Sequence, residues 1–183
     1  MLYWSNKGID VFRLDAVAFM WKEIGKYNQN LPEVHILLQL FKLCGQIVAP
    51  GVAYIAEAIV QPEEIIKYFG EGIAAGDECD IAYNANFMAL SWEAMATRST
   101  ELIKKSMKAV PVKPRNTTWI NYARCHDDIG LGFDDALVKE LGLDSLAHRL
   151  YILQYFCDGF NGSAALGQRF MTEPETGKAR ISG

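Results

Sequence analysis

Three acidic residues each follow a run that reads as a β-strand: Asp15 in GIDVFRLDA, Glu57 in VAYIAEA and Asp127 in WINYARCHDDIG. Two or three carboxylates brought to one place are what cleavage of a glycosidic bond requires. One carboxylate attacks the anomeric carbon and a protonated carboxyl group gives its proton to the departing oxygen. Asp15 suits the first task, because Arg13 sits two positions earlier on the same strand face and a nearby guanidinium favours the ionised carboxylate. Glu57 suits the second, because Ala56 and Ala58 flank it and an apolar setting favours the protonated acid. Asp127, between His126 and Asp128, suits stabilisation of developing oxocarbenium charge, with His126 donating to sugar hydroxyls.

Each of these groups has a plainer reading. Arg13 and Asp15 also make sense as a structural ion pair at a strand end. Glu57 also fits an ordinary loop position before a helix. His126, Asp127 and Asp128 also fit a helix N-cap or a metal-dependent hydrolase. Cys125, beside His126, is a candidate nucleophile, against the plainer reading of a buried thiol.

The spacing says what must position the acids. Asp15 and Glu57 are 42 residues apart, and Glu57 and Asp127 are 70 apart. A β/α barrel of about 250 residues gives each of its eight units roughly 30 residues or more. The intervals therefore read as one unit and then two, with every acid at the carboxyl end of a parallel strand, where barrel active sites lie. The pattern predicts strands over Ile9–Leu14, Val52–Ala56, Cys79–Tyr83 and Thr117–Cys125. Helices are predicted between them. Met1–Asn6 reads as a last helical turn before Gly8, and Pro32 opens a helix to about Val48. Pro62–Phe69 stops at Gly70, and further helices cover Phe87–Arg98, Glu101–Val110, Asp135–Leu141 and Leu146–Cys157. Asp158–Gly183 reads as loop.

Strands alternating with helices mean a parallel α/β architecture. Four strands are half of what closes a barrel. The expected fold is therefore an incomplete (β/α)8 barrel within an internal segment of a longer enzyme.

Composition narrows the function classes. The chain has 183 residues, 50% of them hydrophobic, and a net charge of −4. It carries no basic run, so nucleic acid is not an expected partner. No apolar stretch reaches the ~18 residues of a membrane span. The start lacks the pattern of a signal peptide. None of Cys44, Cys79, Cys125 and Cys157 lies in a Cys-x-x-Cys pair, which disfavours a disulfide scaffold or a zinc site. Neither a metal nor a cofactor is expected.

Phe19 and Trp21, in the loop after Asp15, are candidates to stack on a sugar face, against the alternative of packing on neighbouring loops. Lys22 reads either as a surface charge or as an acceptor contact. Tyr83 and Asn84, closing the third strand, are possible lining residues. Trp4, Trp92 and Trp119 read as core, and His35 and His148 as surface or satisfied structural residues.

GIDVFRLDA, YIAEAIV and RCHDDIG, in this order, resemble the strand-four, strand-five and strand-seven motifs of the α-amylase superfamily, glycoside hydrolase family 13. The resemblance implies Asp15 as nucleophile, Glu57 as acid/base and Asp127 as transition-state stabiliser, with Arg13 and His126 as substrate contacts. It assigns the visible elements to about strands four to seven, and residues 128–183 to part of an insertion after strand seven.

Within the superfamily, DAVAFMWKEIG, NLPEVH, EAIVQPEEIIKYFG, ECDIAYNANFMALSWEAMATR, HDDIG and FNGSAALG are similar to amylosucrases. That likeness implies sucrose as glucosyl donor and an α-1,4-glucan as acceptor. It makes Asp128 a candidate for the fructosyl part and Arg180 a candidate near the acceptor. Sucrose hydrolase, α-glucosidase and α-amylase share the same motifs, and an inactive truncated fragment is the remaining expectation. The first motif of the superfamily, an Asp and a His at strand three, has no counterpart here.

Overall fold

A computed structural model describes residues 1–182. The chain divides into two compact units, the first made of Met1–Asn84 and Pro111–Ile120, the second of Ala85–Val110 and Asn121 onward.

The first unit opens with a single turn, α1 (Leu2–Ser5), closed by Gly8 at φ +89°. Its sheet has four strands, β1 (Val11–Leu14), β2 (Ala53–Ala56), β3 (Ile81–Tyr83) and β4 (Thr118–Ile120), in spatial order β1-β2-β3-β4. Every neighbouring pair is parallel, so every connection must cross back along the sheet. Helix α2 (Pro32–Val48) makes the first crossing, and α3 (Pro62–Ile65), continued by a 3-10 turn over Ile66–Phe69, begins the second. Pro at the first position of both helices needs no intrahelical N–H partner there.

Val34, Leu38, Lys42 and Gly45 recur on the buried face of α2 at helical spacing. Val34 and Leu38 pack with Tyr54, Ala56, Tyr68, Phe69, Cys79 and Ala82 into one core. Fully burying a large apolar side chain contributes about 1.5–3 kcal/mol. Gly45 is required by close approach, because a Cβ there would lie 2.3 Å from the Tyr54 hydroxyl oxygen. A polar seam fixes α2 against the strands. Lys42 pairs with Asp80, which also accepts the Tyr54 N–H at 2.9 Å, and Glu78 binds His35 at 2.8 Å and Gln39 at 3.0 Å.

The second unit contains α4 (Ala85–Thr97), α5 (Glu101–Ala109), α6 (Asp135–Glu140) and α7 (Ser145–Cys157), with a two-stranded antiparallel sheet of β5 (Gln168–Phe170) and β6 (Arg180–Ser182). Asp134 and Asp144 cap α6 and α7 by accepting backbone N–H bonds from Ala136 and Ala147. Leu90, Val138, Ile152, Leu153 and Phe156 form its core. Inside it Glu93 on α4 meets His148 on α7 at 3.1 Å.

The parallel strands and the helix starts follow the sequence pattern, with three differences. The strand expected through Cys125 ends at Ile120. Tyr122 packs on the second core instead, and Trp92 Nε1 donates to the Ala123 carbonyl at 2.6 Å, which draws the chain off the sheet. The tail read as loop contains β5 and β6, strands of three residues each, too short to show alternation. Trp4, expected in the core, is 56% exposed, because the single turn of α1 buries nothing. No helix among the described residues is long and apolar enough to cross a membrane.

Candidate functional site

Register places the first pair of acids. Arg13 lies opposite Ile55 and Leu14 opposite Ala56, so Asp15 and Glu57 leave neighbouring parallel strands at the same end. The ladder continues past the strands, with Glu57 N–H donating to Leu14 O at 3.1 Å and Val17 N–H to Glu57 O at 3.0 Å. The Glu57 carboxylate itself accepts the Ala16 N–H at 2.7 Å. To present that N–H, Ala16 adopts φ 45° and ψ 42°, a left-handed conformation uncommon for a residue with a Cβ.

Arg13 joins the two acids. Its Nη1 donates to Asp15 Oδ1 at 2.5 Å and its Nη2 lies 3.8 Å from Glu57 Oε2. Its guanidinium carbon sits 5.7 Å from the centre of the Tyr83 ring. Partial burial works against the Arg13 charge, but the hydrogen bonds to Asp15 and Tyr83 and the attraction of Glu57 outweigh it and hold its pKa above the ordinary value. The two carboxyl groups differ in setting: the Asp15 side chain is 74% exposed and that of Glu57 only 11%. Ala56 and Ala58, which flank Glu57, are buried. Phe19 ends a 3-10 turn (Val17–Phe19) just beyond Asp15 and is exposed, with Lys22 Nζ 5.7 Å from its ring centre. Trp21 is exposed as well.

The second unit holds His126, Asp127, Asp128 and Arg180. Asp127 follows an irregular, bent segment rather than a strand. His126 Nε2 lies 3.5 Å from Asp127 Oδ1, and Cys125 Sγ lies 3.6 Å from Asp127 Oδ2. Arg180, on β6, pairs with Asp128 at 3.0 Å beside the backbone bridge between Ile129 and Ile181. Arg149 braces the following loop by donating to the carbonyls of Leu131 and Phe133 and pairing with Asp135.

The structure thus groups Arg13, Asp15 and Glu57 in the first unit, and His126 with Asp127, and Asp128 with Arg180, in the second. Sequence reasoning paired Arg13 with Asp15 through the strand period. It missed the contact of Arg13 with Glu57, which appears once the parallel register is drawn, and the Ala16 N–H, for which the residue type gives no signal.

No family model matches the chain. Over 150 residues it is 34% identical to the glucosylglycerate phosphorylase of Escherichia coli (strain K12), a match covering 82% of this chain and 26% of that enzyme. Over 129 residues it is 33% identical to the trehalose synthase/amylase TreS of Mycolicibacterium smegmatis, covering 70% of this chain and 22% of the relative. Among solved structures, sucrose 6F-phosphate phosphorylase from Thermoanaerobacter thermosaccharolyticum matches with a TM-score of 0.60 at 20% identity, over 98% of this chain and 32% of that one.

These homologues and structural neighbours are enzymes of the α-amylase family, glycoside hydrolase family 13. The α/β fold of the chain is similar to that of the family's TIM-barrel proteins, and its four-stranded parallel sheet corresponds to part of such a barrel. The chain spans about a quarter of the length of the curated relatives it matches.

Proposed function

We propose that the chain is part of the catalytic barrel of an α-amylase superfamily enzyme that acts on α-glucosides with retention, through a covalent glucosyl-aspartate. It would supply about strands four to seven with their helices, residues 128–183 belonging to an insertion after strand seven. The observation that carries this reading is the Arg13 guanidinium placed between Asp15 and Glu57 at the carboxyl ends of neighbouring parallel strands.

Asp15 attacks the anomeric carbon as the glycosidic C–O bond breaks, and Glu57 delivers its proton to the leaving oxygen. Glu57 then takes a proton from the acceptor hydroxyl, which attacks the glucosyl-aspartate and frees Asp15. Asp127 stabilises the oxocarbenium charge that develops in both steps. Arg13 and His126 contact the glucosyl unit, and Phe19 offers a stacking face. Asp128 contacts the leaving group and Arg180 the acceptor.

The donor we assign is sucrose and the acceptor a growing α-1,4-glucan, as in amylosucrases; this rests on the motif likeness along the chain. Water in the acceptor's place gives a hydrolase. A second reading has phosphate as acceptor, favoured by relatives named as phosphorylases in both the sequence and the structure comparison. All three outcomes share the same intermediate.

The test is sucrose turnover by the full-length protein, wild type against Glu57→Gln, with and without glycogen or inorganic phosphate. Fructose release with glucan growth, lost in the variant, supports the transferase. Glucose 1-phosphate formed only when phosphate is present makes it a phosphorylase. Equal fructose and glucose under all conditions makes it a hydrolase. No sucrose consumption overturns the donor assignment.

A further inference from the structure

We propose that Cys125, His126 and Asp127 form a three-ligand site for a zinc-type divalent cation. Three successive residues of an extended strand point to alternate sides. Here the chain bends at His126 and Asp127. One ligand atom from each, a sulfur, an imidazole nitrogen and a carboxylate oxygen, lies within 4.8 Å of the other two. Each oxygen of the Asp127 carboxylate faces one of the other two groups, Oδ1 lying 3.5 Å from His126 Nε2 and Oδ2 3.6 Å from Cys125 Sγ. A tetrahedral zinc ion with bonds of about 2.0 Å to nitrogen or oxygen and about 2.3 Å to sulfur has ligand edges of roughly 3.3–3.6 Å. The cluster, whose ligand atoms lie within 4.8 Å of one another, must therefore draw together to meet those edges, which its exposed His126 and Asp127 side chains allow.

The donor set selects the ion. Magnesium and calcium take oxygen ligands, whereas a thiolate with an imidazole suits zinc, cobalt and cadmium. Asp128 is not a ligand, because its carboxylate is engaged by Arg180 at 3.0 Å. Arg124 directs its Nε to the Cys125 carbonyl at 3.3 Å, on the backbone rather than on the thiol. His126 is 73% exposed, so an ion reaches the cluster directly from solvent. Binding replaces the Cys125 S–H bond with a metal–sulfur bond and releases the proton to solvent. Three protein ligands leave the fourth position to water. A cation held this way occupies Asp127; if Asp127 has the role proposed above, zinc inhibits turnover, and this consequence alone rests on that reading.

The test uses cobalt(II) as a spectroscopic probe, added to the full-length protein kept reduced by a phosphine rather than by a thiol. The expected result is a thiolate-to-cobalt charge-transfer absorption that saturates at one ion per chain and is abolished by zinc. It persists in Cys157→Ser and is lost in Cys125→Ser, with both variants shown to be folded by circular dichroism. Absence of the absorption in wild type, or its survival at full amplitude in Cys125→Ser, overturns the site. The absorption is read without substrate, so failure of the catalytic reading leaves this result untouched. In the activity arm, zinc inhibits wild type at concentrations at least tenfold lower than it inhibits Cys125→Ser. Equal inhibition of the two overturns the inhibitory consequence.

Discussion

The backbone N–H of Ala16 donates a 2.7 Å hydrogen bond to Oε2 of Glu57, tying the residue after one acid to the carboxylate of the other. The two acids are therefore coupled through the main chain as well as through Arg13. The geometry depends on a left-handed Ala16, a conformation that disfavours a Cβ by about 1–2 kcal/mol. Strain of this kind persists where surrounding contacts over-determine the backbone. Here they are the flanking hydrogen bonds of Val17 N–H to Glu57 O and Glu57 N–H to Leu14 O.

Ala16→Gly tests the strain. Glycine adopts the left-handed region freely, but it adds about 0.5–1 kcal/mol of unfolded-state entropy to be lost. The expected net result in urea denaturation is a protein equally stable or up to about 1 kcal/mol more stable. A loss of more than 1 kcal/mol would contradict the backbone geometry. Ala16→Pro has no N–H to offer and fixes a negative φ, so a loss of about 3 kcal/mol or more is expected.

Arg13 is predicted to matter as a fork and not only as a charge. A lysine keeps the charge but has no planar pair of nitrogens to reach Asp15 and Glu57 together. Hydrogen bonds to charged groups contribute about 1.5–3 kcal/mol, which is roughly a 10- to 100-fold effect on rate. We expect kcat to fall by about that factor in Arg13→Lys and further in Arg13→Gln, measured on the full-length protein. Wild-type turnover in Arg13→Lys would show the bridge to be idle.

The pair of Glu93 and His148 should hold the second unit together. Both side chains are buried, and Glu93 Oε2 has no hydrogen-bond partner. His148→Ala strands a buried carboxylate and is expected to destabilise by about 3–5 kcal/mol. Glu93→Gln in combination with His148→Gln removes the charges and keeps a hydrogen bond, so it should recover most of the loss. Thermal melts of the single and double variants decide it, and an additive loss would exclude the coupling.

Alkaline pH should loosen the first unit. Burial, reinforced by Glu78 and Asp80, pushes the Cys79 thiol far up from 9.0, and burial likewise raises the Tyr68 phenol from 10.0. Above pH ~9 the unfolded chain gives up these protons while the folded chain keeps them, so the unfolded state binds fewer protons and stability falls as pH rises. The slope reaches about 1.4 kcal/mol per pH unit for each group. Below pH 9 the contribution is fully present. Alkylation at pH 8 should leave Cys79 unmodified until the protein unfolds; rapid modification of the folded protein would refute its burial.

The 183-residue chain on its own is expected to turn over no sucrose. A displacement of reacting groups by about 1 Å costs about a hundredfold in rate, and four strands do not close the barrel that would fix them. Turnover by the purified chain that disappears in Asp15→Asn would overturn this expectation.

The elements that sequence located best are those with chemical punctuation. Pro32 and the apolar residues after it mark α2 from start to end, and Pro62 and Gly70 bracket the turn that follows β2. Where punctuation is missing the reading overran. Tyr122 looks like strand but serves a second core, which no local pattern reveals. At the site, the period of two along β1 brought Arg13 to Asp15, a contact within one strand. The contacts of Glu57 with Arg13 and Ala16 join residues about forty positions apart and depend on strand register. An alanine at positive φ is legible only in the folded chain, because nothing in its side chain favours it.

The path of the chain has a consequence in time. β1, β2 and β3 leave the ribosome in the order in which they pair, so each strand meets a finished neighbour. The second unit is assembled from two stretches separated by β4. Its α4 appears with Glu93, but His148 follows 55 residues later. At about 5–20 residues per second, that interval is roughly 3–11 s. Throughout it Glu93 and the core residues Met88 and Leu90 of α4 have no α7 to pack against. Nascent-chain vulnerability to aggregation is therefore greatest in this window, which opens before β4 completes the sheet of the first unit and closes when α7 arrives.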